Sequence, residues 1–147
     1  MMENAHTYDV EVIYQKERLG SLHSTVLSEE LSVATPPEFP NGMNDVWSPE
    51  HYFVAAVNGC LMTTFLAIAE NFKLNFESFK SSGEGKLEKV DQKFMMSEIT
   101  LRPLVVVSSE DLKEKALKVL MKAEAACLIS NSIKSKIIFE PEVIVAG

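Results

Sequence analysis

An α+β fold with mostly antiparallel sheet is what this sequence predicts, and three observations predict it. Short runs that favour strands come first, around Tyr8–Tyr14, Leu22–Leu27 and Leu31–Thr35. One long stretch then carries no charge across seventeen residues, Phe53 to Ala69. Behind it, extended runs flank a single segment with helical spacing. Strands, helix, strands, helix, strand is the order of a sheet protein with two segregated helices.

Each element has a local cause. YDVEVIY begins with the alternation of a half-buried strand. Gly20, after Lys16-Glu17-Arg18, marks a turn. Pro36, Pro37, Pro40, Asn41 and Gly42 mark an irregular loop. Ser48 is a helix N-cap and Pro49 suits the first helical position, so the central helix extends from there to about Phe72. Strands are expected at Asn75–Lys80 and Lys86–Val90 around a Ser81–Gly85 turn, then at Phe94–Val107. Ser108 with Asp111 resembles a capping box that opens the second helix. Its apolar positions are Leu112, Ala116, Val119, Leu120, Ala123, Ala126 and Cys127. A last strand, Lys136–Val145, contains Pro141, which points to an edge or bulge.

The 147 residues, without repeat or linker, read as a single domain over 1–147. Charged residues are 24% and hydrophobic residues 46%, the mix of a soluble globular chain. Acidic residues outnumber basic ones by 21 to 14, and the net charge of −7 would repel a nucleic-acid backbone. Two cysteines are too few for a secreted disulfide scaffold, and Met1–Asp9 is polar and acidic rather than a leader, so a reducing cytoplasm is expected. The apolar stretch falls short of the ~20 residues of a membrane span. It also holds Asn58, Gly59, Thr63 and Thr64, and Glu50 and Glu70 flank it, where a membrane span usually has basic residues on one side. A helix apolar on all sides in a soluble protein is expected to be buried on all sides. One small sheet offers too little cover, and a homodimer is the simple remedy.

No nucleophile elbow, P-loop or dinucleotide-binding glycine pattern is present. Gly83 and Gly85 in SSGEGK read as hairpin punctuation. His6, His23 and His51 have no metal-ligand spacing, and His51 suits a surface or capping role. That leaves Cys60 on the central helix and Cys127 on the second. A free cysteine is commonly a small buried hydrophobe. Here, however, one thiol lies on each of two helices that both face the core. Helices crossing near these positions would let the sulfurs meet, which needs Cα atoms ~5.5 Å apart. Gly59 beside Cys60, and Ala123, Ala125 and Ala126 beside Cys127, are small enough for close approach.

A reactive cysteine needs something that favours its thiolate. Apolar burial acts the other way. The helix dipole is weak ~3 turns inside the helix, so a cation is expected from elsewhere. Arg18 and Arg102 are the two arginines; Arg18 also suits a solvated turn. Glu50 complements the helix dipole, and at ~15 Å along the axis it lies too far from Cys60 for contact. It is able to hold an arginine that reaches the sulfur, or to act across a dimer interface.

The segment WSPEHYFVAAVNGC resembles the PE-x(9)-C opening of the central helix in the OsmC/Ohr family of osmotically inducible and organic hydroperoxide resistance proteins. EAACLISNSIK resembles the family's second cysteine segment, 67 residues on. Family peroxidases often carry Pro after the second cysteine, where this chain has Leu128. The resemblance implies an OsmC-like fold, an intertwined homodimer, and a peroxidase acting on organic hydroperoxides. Cys60 matches the peroxidatic cysteine and Cys127 the resolving cysteine that closes a disulfide with it. Glu50 matches the glutamate that orients an arginine, and Arg18 that arginine, with Arg102 as the alternative. No resident cofactor is implied; an external dithiol such as a lipoyl group, or a small thiol, resets the pair. Trp47, Tyr52, Phe53 and Phe65 would favour alkyl or aryl peroxides. The alternative is a non-enzymatic OsmC-like dimer that binds a small molecule or senses redox state.

Overall fold

The computed structural model describes residues 5–147; residues 1–4, part of the stretch inspected for a leader, lie outside the described residues. Two compact units make up the chain, one ending at Tyr52 and the other running from Phe53 to Gly147.

The first unit holds an antiparallel meander of β1 (Glu11–Lys16), β2 (Leu19–Ser24) and β3 (Leu27–Ala34). The first turn differs from expectation. Glu17 takes a left-handed φ of 52°, so the charged cluster itself reverses the chain. Gly20 lies inside β2, paired with Tyr14 and Val33. A Cβ there would stand 3.2 Å from the Ile13 carbonyl oxygen.

Helix α1 (Pro49–Asn71) starts where the local sequence dictates. The Ser48 hydroxyl accepts the His51 N–H at 3.2 Å, and the Ser48 N–H returns a bond to His51 Nδ1 at 3.2 Å. This is a reciprocal capping box with histidine in the place usually held by glutamate. His51 thus has the capping role expected of it.

In the second unit, β4 (Ser78–Val90) and β5 (Lys93–Val107) form one long hairpin. It reverses at Asp91-Gln92, whose φ values of 51° and 69° suit a two-residue turn. The turn expected at Ser81–Gly85 is instead the middle of β4, and Gly83 and Gly85 do not punctuate a hairpin. After a short 3-10 turn, α2 (Lys113–Ala126) crosses to β6 (Lys136–Phe139) and β7 (Glu142–Val145). Both pair parallel with β5, so the sheet is not wholly antiparallel. The expected last strand is broken at Glu140-Pro141. Pro103 of β5 lies opposite that break, where its missing N–H costs no ladder bond.

One face of β5 is buried through Ile99, Leu101, Pro103, Val105 and Val107. Val57, Leu61, Phe65 and Ala69 of α1 and Ala116, Val119, Leu120 and Ala123 of α2 complete that core. Helix α1 is therefore not buried on all sides within its own chain. Ala55, Ala56, Gly59, Met62, Thr63, Leu66 and Ala67 remain exposed along it. The helix is long and apolar enough to cross a membrane by length and composition, but its buried stripe belongs to this core.

The closest approach between α1 and the sheet is made by small residues. Inward positions of β4 include Ser81, Gly83 and Gly85. A Cβ at Gly85 would stand 2.6 Å from Val54 Cγ2 and 2.5 Å from Met96 Cε. At Gly83 it would meet Asn58 and Val54 at 3.2 Å. Asn58 Nδ2 donates to the Ser81 carbonyl at 2.8 Å across the same seam. Gly85→Val therefore pushes the helix off the strand. The expected cost is about 1–3 kcal/mol, read as a lowered thermal midpoint, and an unchanged midpoint would refute the contact.

Candidate active site

Cys60 lies in the fourth turn of α1, half-buried, with Thr64 Oγ1 one turn on at 3.8 Å from its sulfur. Cys127 is not on the face of the second helix. It is the C-cap of α2, with φ −64° and ψ 109°, and is 1% exposed. Its thiol points to the Val57 carbonyl at 4.0 Å, one turn before Cys60. Both cysteines are free thiols. The structure thus brings them together through a helix end rather than through a helix crossing.

The loop after α2 is tightly folded. Asn131 N–H donates to the Cys127 carbonyl at 3.1 Å, and Ser132 Oγ to the Leu128 carbonyl at 2.7 Å. Asn131 Nδ2 also caps the Ala125 carbonyl at 3.2 Å. These bonds hold the loop's backbone beside the sulfurs, with unequal results. Burial is the largest influence on Cys60 and disfavours its thiolate. It is outweighed by hydrogen bonds from the Ile129 N–H, the Cys127 thiol, the Thr64 hydroxyl and the Leu128 N–H, and Cys60 ends below its ordinary range. Burial also leads at Cys127, and there it prevails. The Ser130 hydroxyl and N–H oppose it, the neighbouring Cys60 adds to it, and Cys127 is raised.

Besides the cation expected from the sequence, the backbone amides of Leu128 and Ile129 act on Cys60. Nothing in residue identity at 128 or 129 reveals such a role, because any non-proline residue supplies an N–H. Arg102, the alternative cation, lies on the opposite face of β5 from the core. It pairs there with Glu140 at 2.9 Å and Glu84 at 3.6 Å. The expected close-packing glycine is also corrected. Gly59 faces open space and Ala125 and Ala126 are exposed, while Ala123 is in the core.

Arg18 and Glu50 belong to the first unit, and Cys60 and Cys127 to the second. Arg18 is exposed at the β1–β2 turn, lining an open cavity of about 480 Å³ with Val12, Tyr14, Val33 and Thr35. Among the described residues it forms no ion pair, with Glu50 or any other carboxylate. Glu50 sits in the first turn of α1, with Oε1 buried and without a hydrogen-bond partner among the described residues. Of the aromatic residues read as substrate-facing, Phe65 is fully buried against Phe76 and Phe79 and serves the core. Trp47 is exposed beside His51 and Tyr52. Among the described residues no three His, Cys, Asp or Glu side chains group to hold a metal ion.

A pair of unlike free thiols on an α+β frame defines a class of thiol proteins, and comparison assigns the family. The family model for OsmC-like protein matches residues 42–142, and the chain belongs to that family. The uncharacterized protein YmaD of Bacillus subtilis is 27% identical over 122 residues, covering 81% of this chain and 79% of that one. An OsmC-like protein of unknown function from Vibrio cholerae has the same fold, with a TM-score of 0.84 at 23% identity, over 93% of this chain and 99% of that one. An organic hydroperoxide resistance protein from Elizabethkingia anophelis, crystallised with thiocyanate, gives 0.77 at 20% identity over 99% and 100% of the two chains.

The unlike thiols predict an order of reaction. With its pKa lowered, Cys60 carries more thiolate than an ordinary thiol near neutral pH, and Cys127, raised, carries less. Limiting iodoacetamide at neutral pH should label Cys60 first, and Cys127 only as the pH rises. Peptide mass mapping reads the order; equal labelling would contradict it.

Proposed function

We propose that this chain is a thiol-dependent peroxidase that reduces organic hydroperoxides to alcohols. The observation that carries the reading is a pair of free thiols brought together at the end of α2 and biased in opposite directions, Cys60 lowered by hydrogen bonds that include the 128 and 129 N–H groups and Cys127 raised by burial. Peroxide chemistry needs one sulfur ionised and ready and a second held in reserve. The Cys60 thiolate attacks the O–O bond, taking one oxygen as a sulfenic acid, and the alkoxide leaves and takes up a proton. Cys127 then displaces that oxygen as water and closes the Cys60–Cys127 disulfide. An external dithiol, such as a lipoyl group, or a small thiol returns both cysteines to thiols and is itself oxidised to a disulfide. The cycle needs no resident cofactor, and a reducing cytoplasm supplies the thiol.

The fold is shared with a protein named for organic hydroperoxide resistance, which supports this substrate class. In this reading Arg18 and Glu50 keep the roles that the family resemblance implies, thiolate support and orientation of the arginine. The buried, unpartnered Glu50 oxygen supports a missing partner for that carboxylate. The exposed apolar stripe of α1 supports a homodimer, since so much apolar surface on a core helix calls for cover.

A thiol count before and after one equivalent of cumene hydroperoxide, with hydrogen peroxide in parallel, tests the reading. Two thiols per chain should be lost, faster with the organic peroxide. Cys60→Ser should lower turnover at least about a hundredfold, and Cys127→Ser should leave a trappable sulfenic acid. Two thiols still titratable after minutes would instead identify a binding or redox-sensing dimer.

A further inference from the structure

Ser130 opens the 3-10 turn Ser130–Ser132, three residues after Cys127, and is 8% exposed. Its hydroxyl oxygen is buried and, with both cysteines as thiols, has no hydrogen-bond partner among the described residues. A buried unpaired hydroxyl is costly, so its retention calls for a state in which it is paired. A charge-bearing candidate is the Cys127 sulfur, three residues before it, on which this hydroxyl and the Ser130 N–H both act once it ionises. A neutral thiol is a weak acceptor, whereas a thiolate accepts strongly.

We propose that Ser130 is a donor reserved for the resolving sulfur, unpaired while Cys127 is a thiol and hydrogen-bonded to its thiolate as that sulfur attacks the Cys60 sulfenic acid. The inference rests on the peroxidase reading of the thiol pair. In the step concerned, Cys127 gives up its proton, its sulfur electron pair forms the S–S bond, and the S–O bond of Cys60 breaks. The departing oxygen takes up a proton and leaves as water. Burial and the adjacent Cys60 make the Cys127 thiolate scarce, so a donor that appears only for the charged sulfur favours the attacking form without disturbing the resting dithiol. Ser130 differs in this from Thr64, which contacts Cys60 in the resting state.

The test has a readout that needs no peroxide. In a Cys60→Ser background, the ultraviolet absorbance of the Cys127 thiolate is followed against pH. Ser130→Ala should move ionisation to higher pH, with about tenfold less thiolate at a given pH below the midpoint. Ser130→Thr, which keeps the hydroxyl, should restore most of it. A merely structural role has the opposite sign, because loosening admits water and relaxes the upward push of burial. An unmoved or lowered midpoint would overturn the proposal. With both cysteines present, one equivalent of cumene hydroperoxide should leave the Cys60 sulfenic acid of Ser130→Ala alive about tenfold longer. If the parent forms no sulfenic acid, the peroxidase reading fails, and the titration still decides separately whether the hydrogen bond exists.

Discussion

Close seating of α1 on β4 is the contact on which the thiol pair depends. Helix α1 carries Cys60, and its Val57 turn receives the Cys127 thiol. The helix lies at its depth because β4 offers Ser81, Gly83 and Gly85 on its inward face, and Asn58 is tied to the Ser81 carbonyl. A larger side chain at Gly85 would occupy the space of Val54. Interiors are packed densely enough that such a displacement is not absorbed locally. The sulfur of Cys60 moves with the helix, whereas Cys127 is held by the end of α2.

The chemistry of the pair follows from what ends α2. A helix terminus leaves backbone groups without partners, and a tight loop must satisfy them. Here Asn131 and Ser132 satisfy the carbonyl side. The N–H groups of Leu128 and Ile129 are then left to act on Cys60. One loop thereby lowers one thiol, while burial keeps the other raised. The distinction between the two sulfurs rests on oriented amides and on unequal burial within the second unit, before any side-chain cation is considered.

A single chain leaves parts of this arrangement open. The stripe from Ala55 to Ala67 is apolar and exposed on a helix whose other face is core. Among the described residues, Glu50 holds a buried oxygen without a hydrogen-bond partner, and Arg18 forms no ion pair at its cavity. These features share a physical form: surface or charge prepared for a contact that one copy does not make with itself. In the proposed homodimer, a second copy of the chain would supply that contact.

The sequence by itself determined the element types and the chemical candidates. Ser48-Pro49 starts a helix because a hydroxyl and a preset φ serve a helix N-terminus wherever they occur. Apolar periodicity likewise marks α2 through Ala116, Val119, Leu120 and Ala123. The two thiols stood out because little else in the chain is nucleophilic. Tertiary structure decided the rest. Glycine serves a turn and a close approach equally well, so only packing could show that Gly83 and Gly85 lie under a helix while Gly59 faces open space. Asp91-Gln92, not a glycine pair, took the left-handed turn. The thiolate support came from backbone N–H groups, which every non-proline residue carries, and their direction depends on how the chain folds back after Cys127.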